Sequence, residues 1–190
     1  MRLHAGQQKN GTLYIGVTSD LVKRIYQLLR PTVFKMIDPV LFRVKQCSLA
    51  MEHIFDNGGV KQLGISNCYD LQQLKLLYRN AKVKPAVIQN RFYDETQYDH
   101  NIRDFCQQQR IIYQSFWTLT ANPKILAHST LQTLAGKYHR SAAQVFFRYL
   151  NQINIIPLTG TTSETHMRED LAIIDFELTA EECHAVGKLL

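Results

Sequence analysis

The chain has 190 residues, 45% of them hydrophobic, and a formal net charge of +6. That suits one soluble globular domain but falls short of the roughly 250 residues of a complete (β/α)8 barrel. No apolar run reaches the roughly 18 residues of a membrane helix, and the polar Met1–Asn10 start lacks a signal core, so a cytoplasmic, membrane-free protein is expected. In chain order, Asn10-Gly11 is a turn signal and Thr12–Val17 reads as a short strand. Ser19 or Asp20 can cap a helix through Tyr26, and Pro31 and Pro39 then break the chain.

From about residue 46 a regular alternation sets in. Cys47–Phe55 is helical and stops at Asn57-Gly58-Gly59. Val60–Ile65 is a short apolar strand. Asp70–Arg79 carries Leu71, Leu74 and Leu77 at helical spacing behind Asp70 as a cap. Ala86–Gln89 is a strand, Asp99–Gln109 a helix and Ile111–Phe116 a strand. Pro123–Leu150 holds two helical runs that break near His139-Arg140-Ser141. Ile153–Pro157 is a fourth strand, and helices over Glu164–Ala172 and Ala180–Leu189 close the chain. One helix followed by four strand-helix pairs predicts a parallel sheet with helices outside it. Four strands do not close a barrel, so two sheet edges need a cover.

The charge divides the chain in the same way. Residues 1–45 hold eight Lys/Arg against two Asp/Glu, and residues 46–190 are balanced. A basic segment can attract nucleic acid, but this density is also that of a solvated surface. Cys47, Cys68, Cys106 and Cys183 share no ligand spacing, the seven histidines form no helical i, i+4 pair, and no metal site is expected.

In such folds ligands bind at the C-terminal ends of the strands. Those ends read Ser66-Asn67, Gln89-Asn90, Ser115-Phe116-Trp117 and Thr159-Gly160-Thr161-Thr162. The last leads straight into a helix, where free backbone N–H groups and hydroxyls suit a phosphate. Each is weak alone, since a Thr or Ser before a helix is also an ordinary cap. Trp117, Tyr113 and Phe116 are candidates for a pocket wall as well as for packing.

Several segments resemble aldo-keto reductases. Gly58–Asn67 is similar to the family's fifth-strand motif, a lysine-bearing turn and then Gly-Val-Ser-Asn. Pro85–Asn90 resembles the sixth strand, and Ser141–Arg148 the Pro-Ala-Gln-Val-Leu-Leu-Arg helix. Ile156-Pro157 through Ser163, with Met167–Asp170, resembles the eighth-strand phosphate loop and adenine helix. Asp175–Glu182 resembles the closing segment. The resemblance therefore implies an α/β fold that is a partial (β/α)8 TIM barrel, strands 5–8 with their helices. A short irregular α+β segment precedes it, with a division into residues 1–45 and 46–190.

By the same resemblance the cofactor is NADP(H) and the substrate a small carbonyl compound. Ser66, Asn67 and Gln89 would meet the nicotinamide carboxamide, and Ser115 lies at the next strand end. Gly160, Thr161 and Thr162 would line the phosphates. His166 falls where many members carry an arginine for the 2′-phosphate, Asp170 where they carry an asparagine for adenine, and Gln114 where many carry a tyrosine. The family's catalytic Asp, Tyr, Lys and His belong to the first half of its barrel. Tyr14 and Lys45 are present here without that context. Carbonyl reduction needs an acid at the oxygen, so a chain weak or inactive alone is expected, unless self-association or a second half-barrel chain completes it. A second resemblance is to GIY-YIG nuclease-like proteins, over Asn10–Ile25 with Tyr14-Ile15-Gly16 and Arg24. That family's metal-binding glutamate helix has no counterpart here, so nucleic acid is not the expected partner.

Overall fold

The structure, a computed structural model, describes the backbone of residues 39–190 and the side chains of residues 48–190. The strand-helix reading over 12–26, with Tyr14 and Arg24, lies outside the described residues, as do the side chains of Lys45 and Cys47. From Pro39 the elements are α1 (Pro39–Asp56), β1 (Gly64–Ser66), α2 (Leu71–Asn80), β2 (Val87–Arg91), a 3-10 turn (Asp94–Asp99) and α3 (His100–Gln109). There follow β3 (Ile112–Phe116), α4 (Pro123–Leu126), α5 (Ser129–Tyr138), α6 (Ala142–Gln152), β4 (Ile155–Pro157), α7 (Glu164–Leu171), a second 3-10 turn (Ala172–Asp175) and α8 (Ala180–Gly187). The strands hydrogen-bond in sequence order, β1-β2-β3-β4. β3 and β4 run parallel with Tyr113 opposite Ile155. Helices separate the successive strands, so the alternation in the sequence produces an α/β fold with a parallel sheet.

Three details differ from the sequence reading. Pro39 opens α1 instead of breaking the chain, because the first helical residue needs no backbone donor. The strand expected over 60–65 is Gly64–Ser66: Val60 and Leu63 are buried, so the apolar residues there report packing ahead of the ladder. Residues 123–150 form three helices. Asn122-Pro123 starts a short one, and His128 Nδ1 accepts from Thr130 N to start the next. The break at His139 is where the sequence put it, with φ 51 in the left-handed region.

Backbone packing divides the chain into two units between Ile88 and Gln89, inside β2. In the first unit, Asp70 Oδ1 accepts from Gln72 N at 2.8 Å and Gln73 N at 3.1 Å and so starts α2. Lys84 Nζ closes that helix by donating to the carbonyls of Tyr78 and Ala81, 2.7 and 2.8 Å away, a favourable place for a cation. Glu52 of α1, 5% exposed, accepts from Lys82 N at 2.8 Å and Val83 N at 3.2 Å. Gly64 is needed where β1 meets β2: a Cβ there would stand 3.1 Å from the Val87 carbonyl oxygen.

In the second unit α6 is the centre of the core. Its Val145, Phe146 and Leu150 are fully buried, each worth about 2 kcal/mol as area removed from water. Phe146 meets the Phe92 ring at 6.4 Å. Ser141 and Gln144 form a capping box that starts α6. Gln144 Nε2 also donates to the Glu169 carbonyl at 3.0 Å and ties α6 to α7. Gln152 exchanges two 2.9 Å hydrogen bonds with the Leu178 backbone. Lys137 and Tyr138 of α5 both meet the Glu182 carboxylate of α8, at 2.6 and 2.5 Å. No described helix is long and apolar enough to cross a membrane.

Candidate functional site

Side chains alternate along a strand, so Gln89 of β2 and Gln114 of β3 can share one sheet face. They do: Gln89 Nε2 donates to Gln114 Oε1 at 3.3 Å. Gln114 is buried and Gln89 half-buried, which leaves an amide held in one orientation at the middle of β2 and β3, since β2 runs on to Arg91 beyond the end expected at Gln89. Ser115 has the opposite parity. Its side chain is fully buried, and its Oγ accepts from Thr118 Oγ1 at 2.9 Å. It does not join the glutamine pair. Its carbonyl accepts from Leu158 N at 2.7 Å and so holds the start of the loop after β4 beside β3.

That loop carries Gly160, Thr161 and Thr162 into α7. A Cβ on Gly160 would meet nothing within 4 Å, so the space beside the loop is open. Thr161 Oγ1 accepts from Ser163 N at 3.0 Å, and Ser163 Oγ accepts from His166 N at 3.3 Å. These two hydroxyls act as caps, while Thr162 stays exposed. His166 on the first turn of α7 is exposed, and Asp170 one turn later is half-buried. Spaced four apart, they share a helix face. In the first unit, Asn67 Nδ2 donates to Ser66 Oγ, and Tyr69 Oη donates to Asn67 Oδ1, both at 3.1 Å. Asn67 has φ 58, a left-handed conformation that asparagine tolerates better than most residues.

Two groupings were not legible in the sequence. Arg91, at the end of β2, lies over the Trp117 ring at 3.8 Å and over the Tyr93 ring at 4.9 Å. Trp117, at φ 58, is 56% exposed for so large an apolar side chain. The second is a buried network in which Asp99 Oδ2 accepts from Asn90 Nδ2 at 2.6 Å and from Tyr113 Oη at 2.8 Å. Burial first, then the Asp99 charge, pushes the Tyr113 hydroxyl far above its usual range. Tyr113 is therefore a fixed donor to Asp99 and packs away from the glutamine pair, which removes it as a pocket wall there. The only sequence hint was polar residues interrupting buried segments.

The arrangement offers a pair of amides on one face of two neighbouring strands and a helix N-terminus with open space beside the loop that precedes it. That pattern suits a ligand with a planar amide and an anionic portion. The sequence model of the aldo/keto reductase family matches residues 36–190. The chain belongs to the aldo/keto reductase family. It is 30% identical over 151 residues to the uncharacterized oxidoreductase YtbE of Bacillus subtilis, covering 80% of this chain and 53% of that protein. It is 26% identical over 190 residues to the NADPH-dependent alpha-keto amide reductase of Saccharomyces cerevisiae, covering 96% of this chain and 57% of that protein. Among solved structures, an aldo/keto reductase from Brucella melitensis superposes with a TM-score of 0.71 at 25% identity, over 80% of this chain and 57% of that one. The chain spans about half the length of the curated relatives it matches. The family match begins downstream of the nuclease-like stretch at 10–26.

Proposed function

We propose that this aldo/keto reductase family chain is an NADP(H)-binding oxidoreductase segment built from strands 5–8 of the family barrel, with a small carbonyl compound as substrate. The observation that carries this is the Gln89 amide, held by Gln114 on one face of the sheet. A nicotinamide carboxamide presents one donor and one acceptor, which a fixed glutamine amide complements. Ser66 and Asn67 are the further amide contacts in this reading. Gly160, Thr161 and Thr162 with the α7 N-terminus take the phosphates, and His166 and Asp170 face the adenosine end. When bound, such a cofactor supplies hydride. The chain's own part is to orient the nicotinamide and neutralise the phosphates.

The proton for the substrate oxygen needs an acid, and Tyr113, locked onto Asp99, does not serve. The chain alone is then weak or inactive, and a second half-barrel on another chain supplies the acid. The setting in this reading is cytoplasmic. Trp117 is the single tryptophan, so titration with NADPH followed by its fluorescence tests the reading. Binding in the micromolar range is expected, weakened by Gln89→Leu. No binding at millimolar NADPH would sink it.

A further inference from the structure

The paired amides occupy the middle of one face of β2 and β3, and the C-terminal end of that face carries a second set of residues. Arg91 lies two residues beyond Gln89 on β2, and Phe116 two beyond Gln114 on β3. Strand alternation therefore sets Arg91 and Phe116 on the face of the glutamine pair, about 7 Å further along. Both are half-buried, and Trp117 follows directly. This is the end of the strands at which ligands of such sheets bind.

Hydrogen bonds between the two strand exits fix this end. Phe92 N donates to the Phe116 carbonyl at 3.1 Å, and Ala121 N to the Trp117 carbonyl at 2.8 Å. Asn122, 4% exposed, donates through Nδ2 to the carbonyls of Phe92 and Thr118 at 2.7 and 2.8 Å. Trp117 is thereby held at φ 58, a backbone conformation that bulky residues rarely take and that clusters at ligand sites. Its indole still stands 56% exposed. The Arg91 guanidinium lies over that ring at 3.8 Å. Phe116 stands edge to face with it, the centroids 6.4 Å apart and the planes at 86°. A cation–π contact uses the flat side of a guanidinium, whose N–H donors point outward in its own plane. Five donors can serve more than one acceptor.

We propose that Arg91 and Trp117 select the substrate, an aryl 2-oxo acid: a carboxylate on the Arg91 fork, and a flat ring over the indole of Trp117. A carboxylate in the guanidinium plane takes two parallel hydrogen bonds. A flat body attached to it runs on over the indole, which is larger than the guanidinium above it, and stacks there. The position of the carbonyl rests on the cofactor reading above. With the nicotinamide carboxamide at Gln89 and the carboxylate at Arg91, about 7 Å along the face, the reacting carbonyl has to lie next to the carboxylate. A neutral aryl ketone gains nothing from the guanidinium, and an aliphatic 2-oxo acid gains nothing from the indole.

Calorimetric titration of the 190-residue chain, with and without NADPH, compares benzoylformate with its neutral methyl ester and with 2-oxobutanoate, which has no ring. Benzoylformate should bind at least about tenfold tighter than the ester, the worth of one charge-assisted contact, and severalfold tighter than 2-oxobutanoate. Arg91→Gln should abolish the preference over the ester, and Arg91→Lys, which keeps the charge without the fork, should restore part of it. Trp117→Asn should abolish the preference over 2-oxobutanoate with an unchanged circular dichroism spectrum, because asparagine tolerates the left-handed backbone. Equal binding of benzoylformate and its ester, no benzoylformate binding at millimolar concentration, or displacement of benzoylformate by NADPH would each overturn the proposal. So would a parallel loss of NADPH binding in Arg91→Gln, which would give Arg91 to the cofactor. If NADPH fails to bind the parent chain, the cofactor reading falls, and the benzoylformate titration still decides the role of Arg91 and Trp117.

Discussion

Replacing Asp99 removes an acceptor from the most enclosed polar network of the second unit. Asn90 is fully buried and Tyr113 is 3% exposed, so neither can turn to water when the carboxylate is lost. The stranded Tyr113 hydroxyl alone costs about 1–3 kcal/mol, and Asn90 loses its 2.6 Å bond as well, so Asp99→Ala should cost about 3 kcal/mol. The backbone adds to this. Asp99 has φ 54, and a left-handed conformation costs an alanine roughly 1 kcal/mol more than a glycine. Asp99→Gly should therefore be about 1 kcal/mol less damaging than Asp99→Ala, though it loses the same two hydrogen bonds. Tyr113→Phe removes one donor together with its need for a partner and should cost only about 1 kcal/mol. In that background Asp99→Ala should cost 1–3 kcal/mol less than in the parent, roughly the penalty of one stranded hydroxyl. Urea unfolding followed by Trp117 fluorescence measures all four chains. If Asp99→Ala costs under about 1 kcal/mol, or if its effect and that of Tyr113→Phe simply add, the network does not hold β2, α3 and β3 together as argued.

Four further outcomes follow from the structure. Glu52→Ala strands the Lys82 and Val83 amides and should destabilise the first unit by about 3 kcal/mol, read as faster amide hydrogen exchange at those two residues. Gly64→Ala pushes a methyl against the Val87 carbonyl and should cost about 1–3 kcal/mol in thermal unfolding, because backbone gives way less easily than a side-chain tip. Stability should also depend on pH at both ends. Burial alone would raise the Glu182 pKa, but the bonds from Lys137, Tyr138 and Thr179 N outweigh it and leave it lowered. Its contribution is present above the ordinary value of 4.5 and is lost as pH falls, so the parent's melting temperature should drop more than that of Glu182→Gln between neutral pH and pH 3. Burial raises Tyr113 and Tyr149 above the ordinary 10.0, so their contribution is full below that pH and fades as pH rises through it; a melting temperature flat from pH 9 to 11 would contradict this. Finally, His166→Arg should tighten NADPH binding about tenfold and leave NADH binding unchanged, because a permanent cation at residue 166 would meet only the 2′-phosphate.

The local elements were legible because their signals are local. Asp70 before Leu71, Leu74 and Leu77 sets the start and the buried face of α2. His139-Arg140 marks a helix break whatever surrounds it. The strand-helix alternation from residue 46 fixed a parallel α/β sheet, and the ordered matches from Gly58 to Glu182 pointed to the aldo/keto reductase family. The candidate site was legible as polar residues along the four strands, although β2 runs past Gln89 to Arg91.

What the tertiary structure decided is which of those residues face one another. Gln89 and Gln114 lie 25 positions apart in sequence, and only the pairing of β2 beside β3 puts their amides 3.3 Å apart. Ser115 lies one residue from Gln114, yet strand alternation turns it to Thr118 on the other face. Tyr113 looked like a pocket aromatic and is instead bound to Asp99, which the sequence reading placed only as the first residue of a helix. Composition and periodicity depend on neighbours along the chain. Hydrogen bonds such as Asn90–Asp99–Tyr113 depend on strand register and on the path of the turn between β2 and α3, which packing sets. The polar residues of the strands were therefore found by reading the chain, while their division into a paired amide face and a buried structural face came from the sheet.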